Sequence, residues 1–329
     1  MERRVRMSKV KEIFTRRWIL WVLMAIIGFF ALAMPRFWSV QSFKTIVVYT
    51  TEPLLLALGQ TFVIISGGID LSVGSLLGFS SVTGALISKT LWSATSDPNI
   101  SIALGIATGL LVGTVLGIVN GVIIAKLRVA PFVVTLGMMG IARGATYLLT
   151  AGHSIFGLPS QLAKLGNFEL AGVLPVQVII LLITVLLCHF MLSETRLGRY
   201  IYAIGGNRTA ASRAGIPITN CIISIYAISG FLAGFAGVLT MSRFATGSPL
   251  AGVNAELNSI AAAVIGGVSL SGGIGDILGS VIGAFITGVL LVGLVMLNVQ
   301  PYWQMVVVGG ILIIAVFVDQ LRYGRRTHE

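Results

Sequence analysis

The sequence is poor in charge. Of 329 residues, 10% are Asp, Glu, Lys or Arg, against roughly 25% in an ordinary soluble domain. Polar side chains are too few to cover a water-facing surface, which excludes a soluble globular enzyme and a disordered chain. Cysteine is nearly absent. Cys188 and Cys221 both lie in or beside apolar runs and read as small apolar fillers. They offer no CxxC pair and no disulfide framework. The dipeptide Gly-Lys does not occur, so the chain has no GxxxxGK[ST] loop to cradle nucleotide phosphates. HExxH, GxSxG and a histidine cluster are also missing; the three histidines, His153, His189 and His328, are scattered. No catalytic residue and no metal ligand set is assigned.

Apolar surface is what the chain has instead. Hydrophobic residues make up 56% of it, with mean hydropathy +0.98. That composition suits a chain whose solvent is lipid. A helix needs about 20 mostly apolar residues to cross the hydrocarbon core. Ten segments qualify: 18–34, 45–66, 72–89, 100–125, 131–150, 174–192, 221–241, 257–270, 276–297 and 302–318. Gly67-Gly68 and Gly272-Gly273 break two nearly continuous apolar stretches, and 257–270 is short enough for a half-helix. The expectation is an all-α polytopic membrane protein of about ten helices, some broken by glycines.

Net charge is +11, from 22 Lys+Arg against 11 Asp+Glu. In a soluble protein that excess would suggest nucleic acid; here it reports topology, because cytoplasmic loops carry extra Lys and Arg. With the N-terminus inside and ten alternating helices, sixteen of the 22 basic residues fall inside. They lie in a tail over 1–17, at Lys126 and Arg128, in the 193–220 loop, and at Arg322, Arg325 and Arg326. Arg36, Lys44, Lys89, Lys164 and Arg243 fall outside. Both ends are therefore expected in the cytoplasm, with a transmembrane domain over 18–318 and a C-terminal tail over 319–329. Ala31-Leu32-Ala33 mimics a leader cleavage site, but the apolar run before it is long for a leader and serves as a first anchor.

Glycines recur every fourth residue at Gly105, Gly109, Gly113, Gly117 and Gly121, with a second run at Gly275, Gly279 and Gly283 and pairs at Gly140/Gly144 and Gly230/Gly234. Small residues at that spacing let helix backbones lie close, within one chain or across a subunit seam. The stretch 67–87 faintly echoes 266–288, as an internal repeat would.

Ionisable residues in a membrane are costly, so the few present are candidates for function. Arg143 sits inside the fifth segment, as a carbonyl cap, a structural ion pair or a path-lining group. Glu52 lies near the outer end of the second. Asp70 and Asp276 follow the glycine breaks, and Glu256 opens the eighth. No acid stands clearly at mid-depth, where an ion-coupled carrier wants one. The 193–220 loop is basic and longer than a turn requires. Asn207 can cap a short helix over 208–214, Gly215 suits its stop, and Pro217 follows. Such a helix fits either a cytoplasmic partner or an anionic lipid surface.

Five stretches carry a resemblance: GGIDLSVGS (67–75), NGVIIAKLRVAPFVVTLGMMGIARG (120–144), TRLGRYIYAIGGNRTAASRAGI (195–216), ELNSIAAAVIGGVSLSGGIG (256–275) and NVQPYWQMVVVGGILIIAVFVD (298–319). In this order and spacing the chain resembles the membrane permease subunits of bacterial ABC importers of the ribose and simple-sugar class. The first 40 residues and the 89–100 and 152–173 loops lie outside the resemblance.

The resemblance implies a type II permease architecture, like that of the vitamin B12 importer, in a bacterial inner membrane. It implies a second permease subunit, a homodimer by default, together with a cytoplasmic ATPase that binds ATP and Mg²⁺ and an extracytoplasmic sugar-binding protein. This chain would then need no cofactor and touch no nucleic acid. Leu270-Ser271-Gly272-Gly273 matches the opening of the transport-ATPase signature motif, which without a phosphate loop is coincidence. The 195–216 stretch looks like the family's coupling element, with Arg196, Gly198, Arg199, Gly205, Asn207, Ala211 and Gly215 matching its motif. Asp70, Ser72, Asn120, Arg143, Glu256 and Asn258 are the expected path residues. The solute would be ribose-like, with a quorum-signalling sugar derivative or a nucleoside as alternatives. A stand-alone secondary carrier is the reading from a different class.

Overall fold

The computed structural model describes residues 18–323. The basic tail over 1–17 and the cations Arg325 and Arg326 lie outside the described residues. Within them the chain is almost all helix: α1 (Trp18–Ala33), a short 3₁₀ turn (Pro35–Trp38), α2 (Val40–Ile65), α3 (Val73–Thr95), α4 (Pro98–Lys126), α5 (Pro131–Thr150), α6 (Ser160–Gly166), α7 (Val176–Ser193), α8 (Arg196–Gly206), α9 (Arg208–Arg213), α10 (Ile218–Phe244), α11 (Ala255–Ile265), α12 (Ile277–Met296) and α13 (Pro301–Tyr323). Strands β1 (Glu169–Leu170) and β2 (Leu174–Pro175) form a small antiparallel hairpin before α7. A helix stands at each of the ten apolar segments. Six of them, α2, α4, α5, α7, α10 and α12, are long and apolar enough to cross a membrane; α1 and α11 are shorter apolar helices.

Local chemistry sets the ends. Ser39 caps α2, its Oγ accepting from the Ser42 N–H at 3.1 Å, so this helix starts five residues before the apolar run suggests. Asp97 accepts from the N–H groups of Asn99 and Ile100, and Pro98 opens α4. The A-x-A triplet at 31–33 is simply the last turn of α1.

α2 is the central helix, with every residue from Leu54 to Ile65 buried. Helices α10, α11 and α12 pack directly on it; α3 and α4 pack on α10, and α1 packs on α12. Glycine makes several of these contacts close. A Cβ on Gly113 would lie 2.6 Å from the Gly230 carbonyl oxygen and 2.7 Å from Gly234 Cα; one on Gly105 would lie 2.8 Å from the Gly84 carbonyl oxygen. The long α4 stripe is therefore a seam inside this chain, meeting α3 and α10. Gly279 and Gly283 pack α12 on α11 in the same way, while Gly275 stands before α12 and outside its packing stripe. Dispersion between touching backbones replaces the hydrophobic drive that lipid removes. Gly137, Gly140 and Gly144 of α5 differ: a Cβ on any of them would meet nothing within 4 Å.

Candidate functional site: the basic loop on two helix breaks

The two glycine breaks are built alike. At the end of α2, Gly67 takes φ +84°; its N–H reaches the Ile64 carbonyl at 2.9 Å and the Gly68 N–H reaches Val63 at 3.0 Å. At the end of α11, Gly267 takes φ +94°; its N–H reaches Val264 at 2.9 Å and the Val268 N–H reaches Ala263 at 3.0 Å. Each is a paired-bond stop that uses a left-handed residue to satisfy the last carbonyls. The breaks also touch. The Gly273 N–H donates to the Ile65 carbonyl at 2.8 Å, joining residues over two hundred positions apart.

The basic loop sits on that junction. Thr195 caps α8 by accepting from the Gly198 N–H at 3.3 Å. Ile201 and Ile204 face inward and are buried; Arg196 and Arg199 face outward. Gly198 lies against Leu192, so closely that a Cβ would fall on the Leu192 carbonyl; α8 thus folds back onto the end of α7. Gly205 lies on both breaks: a Cβ there would fall on the Ile65 oxygen and come 2.5 Å from Gly273 N. The Tyr202 hydroxyl donates to the Gly275 carbonyl at 2.7 Å. Burial, reinforced by the Asp276 carboxylate, pushes this phenol above the ordinary tyrosine range, so it stays a donor at neutral pH.

Asn207 ends α8 and starts α9: its N–H donates to Ala203 at 3.1 Å and its Oδ1 accepts from the Ala210 N–H at 2.9 Å. This is the expected cap, with the helix one residue shorter than expected. Gly215, at φ +80°, stops α9, with the Ile216 N–H returning to Ala211 at 3.2 Å. Ala211 is buried, whereas Arg208 and Arg213 are exposed. Among the described residues none of the four loop arginines has a carboxylate partner; Arg199 reaches only the Glu194 carbonyl, at 3.3 Å. Of the seven motif residues, Gly198, Gly205 and Ala211 seat the loop, and Arg196, Arg199, Asn207 and Gly215 lie on its outer surface.

The expected path residues fall into two groups. Asp70, Ser72 and Asn120 meet in a fully buried knot. Asp70 Oδ1 accepts from the Ser72 N–H at 2.9 Å and the Ser72 hydroxyl at 2.6 Å. Asn120 Nδ2 donates to Ser72 Oγ at 2.9 Å. Two further members come from elsewhere: the Ser229 hydroxyl donates to Asp70 Oδ2 at 2.9 Å, and Gln60 Nε2 donates to the Asp70 carbonyl. The knot ties α2, the first break, α4 and α10 together. Arg143 and Glu256 form the second group. Arg143 Nη1 donates to the carbonyls of Pro249 and Ala251, each at 2.9 Å. It is a carbonyl cap for the 245–254 turn, and Glu256 lies near enough for their charges to attract without an ion pair. Asn258 is half-buried on α11, its side chain without a hydrogen-bond partner among the described residues. Asp276 serves differently from Asp70: it caps α12, accepting from the Gly279 N–H at 2.6 Å.

Sequence reasoning missed Tyr202 and Ser229. Tyr202 stands in the quoted motif, three residues before Gly205. Ser229 stands one residue before the Gly230/Gly234 pair. Only the folded chain shows what each reaches.

The family described as branched-chain amino acid transport system / permease component matches residues 42–316. Ribose import permease protein RbsC of Escherichia coli (strain K12) is 38% identical over 317 residues, covering 94% of this chain and 96% of its own. Ribose import permease protein RbsC of Bacillus subtilis (strain 168) is 43% identical over 268 residues, covering 81% of this chain and 80% of its own. D-allose transport system permease protein AlsC of Escherichia coli (strain K12) is 39% identical over 303 residues, covering 92% and 90%. No solved structure gives a significant match.

Proposed function

The chain belongs to the branched-chain amino acid transport system / permease component family, and from that premise we propose that it is the membrane subunit of an ATP-driven importer for a monosaccharide. It is a multi-pass protein of the bacterial inner membrane, and its relatives are import permeases for ribose, allose and galactose. A ribose-like solute is delivered by an extracytoplasmic binding protein, and ATP with Mg²⁺ is hydrolysed in a separate cytoplasmic subunit. The ten apolar helices all cross or enter the bilayer in a type II arrangement, with both termini in the cytoplasm. Two copies form the path between them; the open glycines of α5 suit a face that a second copy covers.

The observation that carries this reading is the seat of α8. A docked ATPase would push on exposed Arg196, Arg199, Arg208 and Arg213. Because Gly205 and Tyr202 pin α8 to both breaks, that push moves α2 and α11–α12 together. A lever needs two discrete positions and no slack, and backbone-to-backbone contact supplies the second requirement.

The test is ATP hydrolysis by the lipid-reconstituted complex, with and without the binding protein and candidate sugars. Stimulation should require the binding protein and vanish in Arg199→Glu and Gly205→Pro. If the ATPase never co-purifies, and the chain alone moves sugar down an ion gradient, the secondary-carrier reading replaces this one.

A further inference from the structure

Between α7, α10 and the middle of α4 lies a cavity of about 560 Å³. Ile180, Thr184 and Met191 line it from α7, Ala227 and Phe231 from α10, and Thr114 from α4. Its only hydroxyls are spent. Thr114 Oγ1 donates to the Leu110 carbonyl at 2.7 Å and Thr184 Oγ1 to the Ile180 carbonyl at 2.8 Å. A polar solute would find no partner there, and a wall of this kind does not hold water. The groove opens beside an outward face of α7 that carries exposed Leu182, Ile183, Leu186 and Leu187.

Its dimensions and its rim name an occupant. From Ile180 to Met191 the helix rises about 16 Å, close to the depth of one leaflet, about half of the ~30 Å hydrocarbon core. Beyond the Met191 end, α4 ends at Lys126 with Arg128 beyond it, and both are exposed; the four arginines of the 193–220 loop belong to the ATPase-facing surface and not to this rim. Among the described residues the one ion pair is Lys44–Glu169, near the start of α2, so neither cation is neutralised by a carboxylate.

We propose that this groove binds an anionic phospholipid, one acyl chain lying along α7 and the headgroup held at the cationic rim. The apolar wall selects hydrocarbon and the rim selects the charge. The inference rests on the chain being membrane-embedded and not on which sugar it carries. Because the groove runs along α7 to Met191, the lipid also steadies the α7–α8 corner that Gly198 closes.

The test is native mass spectrometry of the permease–ATPase complex in detergent, followed by delipidation and titration with phosphatidylglycerol or phosphatidylcholine. The wild-type complex should retain phospholipid and rebind phosphatidylglycerol in preference. Thr184→Phe and Ala227→Phe, made separately, fill the groove. Each should lower occupancy at limiting lipid about tenfold, the effect of losing roughly two buried methylenes. Met24→Phe, on the exposed side of α1, should bind as wild type. Basal ATP hydrolysis and intact-complex mass identify a variant that has merely failed to fold, and the other variant then decides. Undiminished lipid in both filled variants, equal binding of the two lipids, or a disulfide between copies through Leu187→Cys would each overturn the proposal. The last would show that a second copy covers the groove.

Discussion

Gly205 and Gly206 are neighbours at the end of α8 with opposite surroundings, and this makes a controlled experiment. A Cβ on Gly205 would land on the Ile65 carbonyl oxygen and 2.5 Å from Gly273 N, both backbone atoms with no flexible end to give way. A Cβ on Gly206 would meet nothing within 4 Å. Forcing one extra carbon into a packed site typically costs about 1–3 kcal/mol. Displacing Gly273 also loses its bond to Ile65, about 1 kcal/mol more. Gly205→Ala should therefore loosen the seat of α8 by about 2–4 kcal/mol, a shift of more than tenfold in the seated population. Gly206→Ala should be neutral or slightly stabilising, because alanine costs less backbone entropy than glycine. The assay compares binding-protein-stimulated ATP hydrolysis and sugar uptake in proteoliposomes. Gly205→Ala should keep the complex assembled yet lose most of the stimulation, while Gly206→Ala keeps it. Equal coupling in the two variants would refute the claim that α8 transmits force through its contact with the breaks.

Three more outcomes follow from other contacts. Gly113→Leu should drive α4 from α10 and lower the melting temperature of the purified chain sharply, whereas Gly140→Leu should leave the protomer's stability unchanged and shift the monomer–dimer balance, read by light scattering. Asp70→Ala strips the buried Ser72 and Ser229 hydroxyls of their acceptor and should cost about 3 kcal/mol, visible as lost thermal stability without any change in the loop. Tyr202→Phe removes the bond to Gly275, a loss of about 1 kcal/mol. The folded phenol titrates above its unfolded value of about 10, so its contribution is complete at lower pH and disappears only as pH rises past the folded value. The stability gap between wild type and Tyr202→Phe should be flat from about pH 6 to 9.

What could be read from the sequence was local. Asn207 and Gly215 were legible as cap and stop because capping uses atoms within four residues. Gly67-Gly68 was legible as a break because an apolar run that changes to Gly-Gly cannot stay helical cheaply; the second break was expected at Gly272-Gly273, but α11 already stops at Gly266-Gly267. The α4 stripe announced a seam, though not which helices it would meet. Long-range contacts were the part that could not be read. Nothing near Asp70 points to Ser229, 159 residues on, and the two acids after the breaks looked equivalent until the fold made one a tie between helices and the other a helix cap. Tyr202 carried no signal of its own until Gly275 was placed beneath its hydroxyl. The α6 turn and the β1–β2 hairpin were absent from the expectation because short elements in a surface loop lack a periodic pattern.

The bond from Gly273 to Ile65 also orders events in time. A ribosome delivers the first break and the whole of α8 and α9 well before it delivers residues 266–275. Until those last residues arrive, α8 lacks half of its floor. A partly made chain therefore displays the arginines without the rigidity beneath them. If α8 seats the ATPase as proposed, a chain ended after residue 265 should reach the membrane yet fail to retain it.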